Sequence, residues 1–129
     1  MRDLRGRRRA AALRTIGELE DRGCEAAGYR LAGDELDHIC CRHLYGDDRL
    51  LTVWPGDEHA VVILVARHSP EPGGVYDQLL ESLDIDMPPD ERDKPPCCDE
   101  EGEPPADSDV ANAVADAVEQ SARRRRRGR

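Results

Sequence analysis

The apolar positions at the start of the chain follow helical spacing. Leu13, Ile16 and Leu19 recur at three-residue intervals, which places them along one side of a helix. Gly23 follows this run, at a point where glycine commonly ends a helix. The pattern therefore predicts an N-terminal helix over residues 2–22.

Short apolar runs separated by turn residues occupy the middle of the chain. They cover residues 39–45, 49–54 and 60–67, with Gly-Asp-Asp and Pro-Gly-Asp-Glu segments between them. Three strands joined by two short turns predict an antiparallel meander. The third run is unbroken, Ala-Val-Val-Ile-Leu-Val-Ala, which is typical of a strand buried on both faces. We expect this strand at the centre of the sheet or under a helix.

Helical spacing returns after the strands. Apolar residues predict a helix over residues 75–85, and two prolines end it. Residues 88–107 are acidic and rich in proline, which predicts a disordered linker. Residues 108–122 predict a C-terminal amphipathic helix, followed by an Arg-rich tail. The expected fold is a small α+β domain over residues 1–87, with the linker and residues 108–129 beyond it.

Composition and length limit the class of protein. The chain has 129 residues, a net charge of −9 and no Phe, which fits one small core. Its longest apolar run covers residues 60–66 and is too short to span a membrane. No apolar stretch of a secretory signal follows the basic N-terminus. We therefore expect a cytoplasmic protein without a membrane partner.

The cysteines favour reduced thiols over a disulfide framework. The chain has five cysteines, an odd number that includes two adjacent pairs. Residues 38–43 contain two His and two Cys, but no Cys-x-x-Cys motif, and neighbouring strand residues point to opposite faces. We expect no metal ion and no other cofactor. Cys40 or Cys41 is expected in the core, and Cys97 and Cys98 are expected to be exposed.

Both ends of the chain are basic, whereas the middle is acidic. Residues 23–87 carry thirteen acidic residues and four Arg. Arg7, Arg8 and Arg9 form a run near the N-terminus, and residues 123–127 are all Arg. Such runs are typical of arms that bind nucleic acid. They are equally typical of solvated tails, here folded onto the acidic linker, and the sequence leaves both interpretations open.

Polar residues near the ends of the predicted strands suggest a site for phosphodiester chemistry. Arg49 opens the second strand, Arg67 and His68 close the third, and Tyr76 begins the next helix. In an antiparallel pair the start of one strand lies opposite the end of the next, so we expect both arginines at one edge. Two guanidinium groups can hold a phosphodiester, while His and Tyr can transfer protons. The alternative is that the arginines pair with nearby acids and that the other two residues are structural.

The order of these elements resembles the RelE/ParE toxins of bacterial toxin–antitoxin systems. The resemblance covers residues 4–85. It is carried by the Leu-Ala-Gly-Asp-Glu-Leu segment at 31–36, the Arg-Leu-Leu-Thr-Val-Trp strand at 49–54, the valine-rich strand that ends in Arg67-His68, and the Val75-Tyr76 pair. It implies a small fold with an N-terminal helix and an antiparallel sheet.

The resemblance also implies a function and partners. Members similar to RelE cut messenger RNA on the ribosome without a metal ion, and members similar to ParE inhibit DNA gyrase. Carried over, Arg49 and Arg67 would bind phosphate, and His68 or Tyr76 would transfer a proton. The implied partners are an antitoxin protein and RNA or the ribosome. We therefore expect a toxin-type endoribonuclease with these four catalytic residues.

A non-enzymatic protein-binding module is the alternative function. The acidic middle of the chain suits a basic protein partner, and it repels the phosphate backbone on which nucleic-acid affinity largely depends. Binders of a gyrase-type target and inactive relatives of the toxins belong to this alternative.

Overall fold

The computed structural model describes residues 6–31, 36, 38–44, 46–56, 59–68, 74–83 and 95–127, apart from the side chains of residues 77 and 125–127. Parts of three predicted features lie outside the described residues. They are the first turn of the N-terminal helix, most of the segment at 31–36 and the first third of the linker, residues 88–94.

The chain forms an antiparallel sheet with helices on both faces. The helices are α1 (Gly6–Arg22), α2 (Val75–Leu83) and α3 (Ser108–Arg127), and the strands are β1 (Tyr29–Arg30), β2 (Ile39–His43), β3 (Asp48–Gly56) and β4 (His59–Arg67). The strands lie in the order β1-β2-β3-β4, and all neighbours are antiparallel. The predicted α+β class and meander are confirmed, with β1 as an additional short strand.

The alternation of side chains along the central strands builds two cores. On β3, Leu51 and Val53 pack against α2 and α3, whereas Leu50 and Trp54 pack against the side that carries α1. These four side chains are almost completely buried. The strand lies between β2 and β4, so β3 is the element that is buried on both faces.

β4 corrects the prediction for the third apolar run. The strand lies at the edge of the sheet, and each of its side chains retains partial exposure. Val61, for example, is 38% exposed. An unbroken apolar run shows that both faces of a strand contact other elements, but it does not show how completely they are covered. The strand is therefore not central, and α2 and α3 cover one of its faces only in part.

Two disulfides join the C-terminal part of the chain to its first half. Cys24 pairs with Cys98 and Cys40 pairs with Cys97, with Cα–Cα distances of 5.3 and 5.7 Å. Cys41 is buried and takes no part in a disulfide. The expectation of reduced thiols is therefore wrong, because four of the five cysteines form disulfides. The expectation of an exposed Cys97 is also wrong, because its side chain is completely buried. Partners 74 and 57 residues apart leave no local spacing pattern in the sequence.

The described part of the predicted linker, residues 95–107, is ordered against the sheet. The Arg30 amide donates to the Pro95 carbonyl at 2.8 Å, and the Asp107 amide donates to the Trp54 carbonyl at 2.9 Å. Residues 95–107 therefore follow the protein surface from β1 to the start of α3. Their acidic, proline-rich composition predicts disorder, but the two disulfides hold this segment where its own apolar residues would not.

An ion pair attaches the start of α1 to the sheet. Arg8 donates from Nε and Nη2 to the two carboxylate oxygens of Asp48, at 2.7 and 2.9 Å. The Asp48 side chain is only 3% exposed, so this bidentate contact neutralises a carboxylate that would otherwise be buried and unpaired. Farther along α1, Leu19 contributes to the core beneath it.

The disulfide pairing predicts the number of reactive thiols. Without a reductant, the unfolded chain should expose one thiol, that of Cys41, and reduction should expose all five. Each bridge is expected to contribute about 2–4 kcal/mol to stability, so reduction should lower the melting temperature. The measurement is a thiol titration in denaturant, followed by melting with and without reductant. The matched control Cys41→Ala should remove the single thiol yet keep the response to reductant, and five thiols in the untreated chain would contradict the pairing.

A second prediction concerns the centre of β3. Thr52 is completely buried, and its hydroxyl forms no hydrogen bond within the described part of the chain. Thr52→Val should therefore leave the free energy of unfolding unchanged or raise it, by up to about 1 kcal/mol. The opposite change one residue later, Val53→Thr, should lower it by about 1–3 kcal/mol. Urea unfolding of the two variants measures both effects, and a clear loss of stability in Thr52→Val would show that the hydroxyl is bonded.

Candidate functional site

Polar side chains collect at one end of the sheet, on the face that carries α2. β1, β2 and β3 contribute Tyr29, His43 and Arg49, and α2 contributes Tyr76. In the strand register, Tyr29 lies opposite Cys41, and His43 lies opposite Arg49. Directly opposed residues project to the same face of a sheet, so the register brings these side chains together.

Hydrogen bonds connect two phenols, one imidazole and one thiol. The Tyr29 hydroxyl lies 3.2 Å from Nε2 of His43 and 3.1 Å from the Tyr76 hydroxyl. The Tyr76 hydroxyl also lies 3.3 Å from the sulfur of Cys41. The two phenols therefore link the surface imidazole of His43 to a thiol inside the core.

His68 places a second imidazole at the other end of this phenol pair. Its ring packs edge-on against the ring of Tyr76, with the ring centres 4.9 Å apart, and its amide donates to the Asp47 carbonyl at 2.7 Å. His43 packs in the same way against Tyr29, at 5.5 Å. His43 is exposed and His68 is half-buried, so both imidazoles are open to solvent above the buried phenol of Tyr76.

A glycine allows β1 to approach β2 closely enough for these contacts. Gly28 adopts a positive φ of 83°, and a Cβ atom there would collide with the main-chain carbonyl of Cys41. Only glycine adopts this conformation readily and leaves the required space. Gly28 therefore fixes the start of β1 and, with it, the position of Tyr29.

Arg49 supplies a cation that no carboxylate of the described residues neutralises. Its Nη1 donates to the main-chain carbonyl of Asp48 at 3.0 Å, and its Nε is buried without a hydrogen-bond partner in the described part of the chain. The carboxylate of Asp48 is engaged by Arg8 on the opposite face of the sheet. The site therefore carries a half-buried guanidinium with capacity to bind an anion.

Both phenols of the site are held in the neutral form. Burial raises the pKa of Tyr29 to about 12. Burial, followed by the hydrogen bond with Cys41, raises the pKa of Tyr76 well above its usual value. A neutral phenol donates a hydrogen bond but is a poor base near neutral pH. His43 and His68 are therefore better suited than the phenols to transfer protons.

The structure brings Arg49, His68 and Tyr76 together but separates Arg67 from them. Arg67 is paired with Asp48 across β3 and β4, and the Asp48 side chain points to the face that carries α1. Arg67 therefore lies at the expected end of the sheet but on its other face. Neighbouring strand residues alternate between faces, so Arg67 and His68 cannot both face the site.

Three residues of the site, Tyr29, Cys41 and His43, are not among the residues that the sequence predicts for it. Cys41 and His43 alternate on one strand, which is a signal that they share a face, but the predicted strand gives no reason to choose that face. Tyr29 has no signal, because β1 has only two residues and becomes a strand through its contact with β2.

The predicted nucleic-acid-binding arginines lie on α1, across the sheet from the cluster. Arg8 is occupied by Asp48, whereas Arg7 and Arg9 are exposed. Arg8 therefore has a structural contact, and the other two remain accessible on the α1 side.

No metal site or membrane span is found within the described segments. No group of three or more His, Cys, Asp or Glu side chains there is placed to hold a metal ion. Among the helices of those segments, none is long and apolar enough to cross a membrane.

The chain matches no protein-family model, no curated protein and no solved structure. The resemblance to RelE/ParE toxins therefore depends on the sequence features given above.

The raised pKa values predict how stability depends on pH. Below the ordinary tyrosine pKa of 10, the phenols are neutral in the folded and the unfolded chain, so they add no pH dependence. Between about pH 10 and pH 12 the unfolded chain ionises first, and stability should fall as pH rises. Urea unfolding at several pH values measures this fall. Tyr29→Phe should make it shallower, and an unchanged slope would contradict the shift assigned to Tyr29.

Proposed function

We propose that the protein is a toxin-type endoribonuclease that cleaves RNA without a metal ion. The observation that carries the proposal is the position of His43 and His68 at opposite ends of a pair of neutral phenols, with the cation of Arg49 on the same face. These are the groups that transesterification of RNA requires: a base, an acid and a cation for the phosphate.

The reaction balances with these groups alone. One imidazole removes the proton from a ribose 2′-hydroxyl, and the oxygen attacks the adjacent phosphorus. The bond to the 5′-oxygen breaks, and that oxygen takes a proton from the other imidazole, which is protonated at the start. The products are a 2′,3′-cyclic phosphate and a 5′-hydroxyl. Arg49 binds the non-bridging oxygens, where negative charge develops.

The phenols have a positioning role in this proposal. Tyr29 holds the Nε2 atom of His43, and Tyr76 supports the ring of His68. Because both phenols stay neutral, they orient the imidazoles without competing for the transferred protons. This differs from the role that the sequence resemblance gives Tyr76.

Two further features support the toxin-type interpretation. The chain has the helix, antiparallel meander and following helix that the resemblance implies, and three of its four proposed site residues lie together: Arg49, His68 and Tyr76. We accordingly propose an antitoxin protein and RNA or the ribosome as partners. Arg67 departs from the pattern, because it faces α1, and it is not part of the proposed site.

Cleavage of RNA by the purified chain tests the proposal. The wild type should cut single-stranded RNA in the presence of a metal chelator and leave 2′,3′-cyclic phosphate ends. His43→Ala, His68→Ala and Arg49→Ala should each lower the rate about a hundredfold or more. Arg67→Ala is the matched control, because it removes a guanidinium at the same end of the sheet but on the other face, and its rate should be unchanged.

The outcomes separate the two functions. Cleavage lost with His43 and His68 but kept without Arg67 supports the ribonuclease, and induced expression in bacteria should then arrest growth with loss of messenger RNA. Loss of activity in Arg67→Ala alone would refute the site. A folded wild type that cuts RNA neither free nor bound to ribosomes would refute the ribonuclease and favour the protein-binding module.

A further inference from the structure

One side of α1 carries an apolar strip with opposite charges at its ends. Arg9, Leu13, Ile16 and Glu20 follow one another at spacings of four, three and four residues, which places them along a single side of the helix. Leu13 is 46% exposed although it is a large apolar residue. The buried residues of α1, such as Leu19, form a different side, so this strip lies beside the contact with the sheet.

The strip borders the free edge of the sheet. Ile16 and Glu20 line a groove of about 300 Å³ together with His59, Ala60 and Val62 of β4. No strand of the described chain pairs with the outer edge of β4. The contact surface therefore combines a helix side, a shallow groove and a strand edge.

This edge is unusually apolar for an unpaired strand. Between His59 and Arg67, β4 has no charged residue, although edge strands commonly carry charges that prevent association. Leu13, on α1, is one of two exposed large apolar residues in the described chain. The other, Val61, lies opposite Val53 and therefore projects to the face that carries α2 and α3.

The direction of α1 sets the charge at each end of the surface. Arg8 is bound to Asp48, which lies opposite Arg67, so the start of α1 lies at the Arg67 end of β4. Glu20 lies at the His59 end. The surface is therefore basic at one end, through Arg9 and Arg67, acidic at the other, and apolar between them.

We propose that this surface binds the same surface of a second copy of the chain, related by a two-fold axis. A two-fold axis brings a patch onto itself in reversed direction. Reversal places the acidic end, at Glu20, against the basic end of the partner, and it places the apolar middle, at Leu13, against its own equivalent. A surface with opposite charges at its two ends is complementary to itself in this arrangement.

A bulge in β4 argues against an arbitrary strand as the partner. The pairing of β3 with β4 shifts in register between Leu51 and Thr52, which breaks the regular edge near Ile63. Bulges at sheet edges interrupt pairing with foreign strands. A partner must therefore match the side chains of the surface, and the charge pattern matches a second copy. The dimer uses none of the residues of the proposed ribonuclease site, and it does not depend on that function.

Sedimentation of the 129-residue chain tests the proposed dimer. The wild type should dimerise, and Leu13→Glu should weaken the dimer about tenfold or more, because the axis brings two carboxylates into the apolar middle. Ala10→Glu is the matched control, since it adds the same charge to an exposed position of α1 outside the strip. It should leave the dissociation constant unchanged, and circular dichroism should confirm that both variants are folded.

A charge exchange tests the antiparallel arrangement itself. Glu20→Arg should weaken the dimer, because it creates a basic end against a basic end, and the added change Arg9→Glu should restore it. A wild type that remains monomeric at about 100 μM, or a dimer that tolerates Leu13→Glu, would overturn the proposal. Failure of the double variant to recover would overturn the two-fold antiparallel geometry.

Discussion

The two disulfides at Cys97 and Cys98 are the constraint on which the arrangement of the chain depends. They fix the segment before α3 to β2 and to the turn that follows α1, and α3 then packs on β3 and α2. A chain without Phe and with only 38% hydrophobic residues has a small core. The disulfides therefore supply part of the stability that a larger core would provide. The crosslinked segment also supports the site, because Pro96 pairs with the main chain of Tyr29.

The separation of charges between the two faces follows from strand alternation. Asp48 and Arg49 are neighbours, yet one carboxylate binds Arg8 beside α1 and one guanidinium lies with the phenols beside α2. If the two side chains shared a face, they would neutralise each other. The sheet therefore preserves a usable cation in a chain whose middle is strongly acidic. The same alternation removes Arg67 from the site.

Local patterns in the sequence predict the regular elements and fail where distant residues meet. Apolar spacing locates the three helices and the three longer strands to within a few residues. The helices repeat apolar residues every three to four positions, and the strands are short apolar runs between turn residues. β1 and the partners of Cys97 and Cys98 depend on contacts across the fold, which no short pattern records. The acidic composition of residues 95–107 predicts disorder, but two disulfides attach this segment to the rest of the chain. For the site, the sequence predicts Arg49, His68 and Tyr76 at one end of the sheet, and it misses Tyr29 and His43 because their face is set by tertiary contacts.

The register of β2 decides which of its two adjacent cysteines can form a disulfide with Cys97. Cys40 points to the disulfide side of the sheet and Cys41 to the phenols of the other side. A slip of one residue would exchange their positions, since the side-chain period of a strand is two. Cys41 would then meet Cys97, and oxidation would fix the chain in a misfolded isomer. The native disulfide therefore works as a covalent check on register, and a chain that oxidises before β2 has paired with β3 needs disulfide exchange to recover.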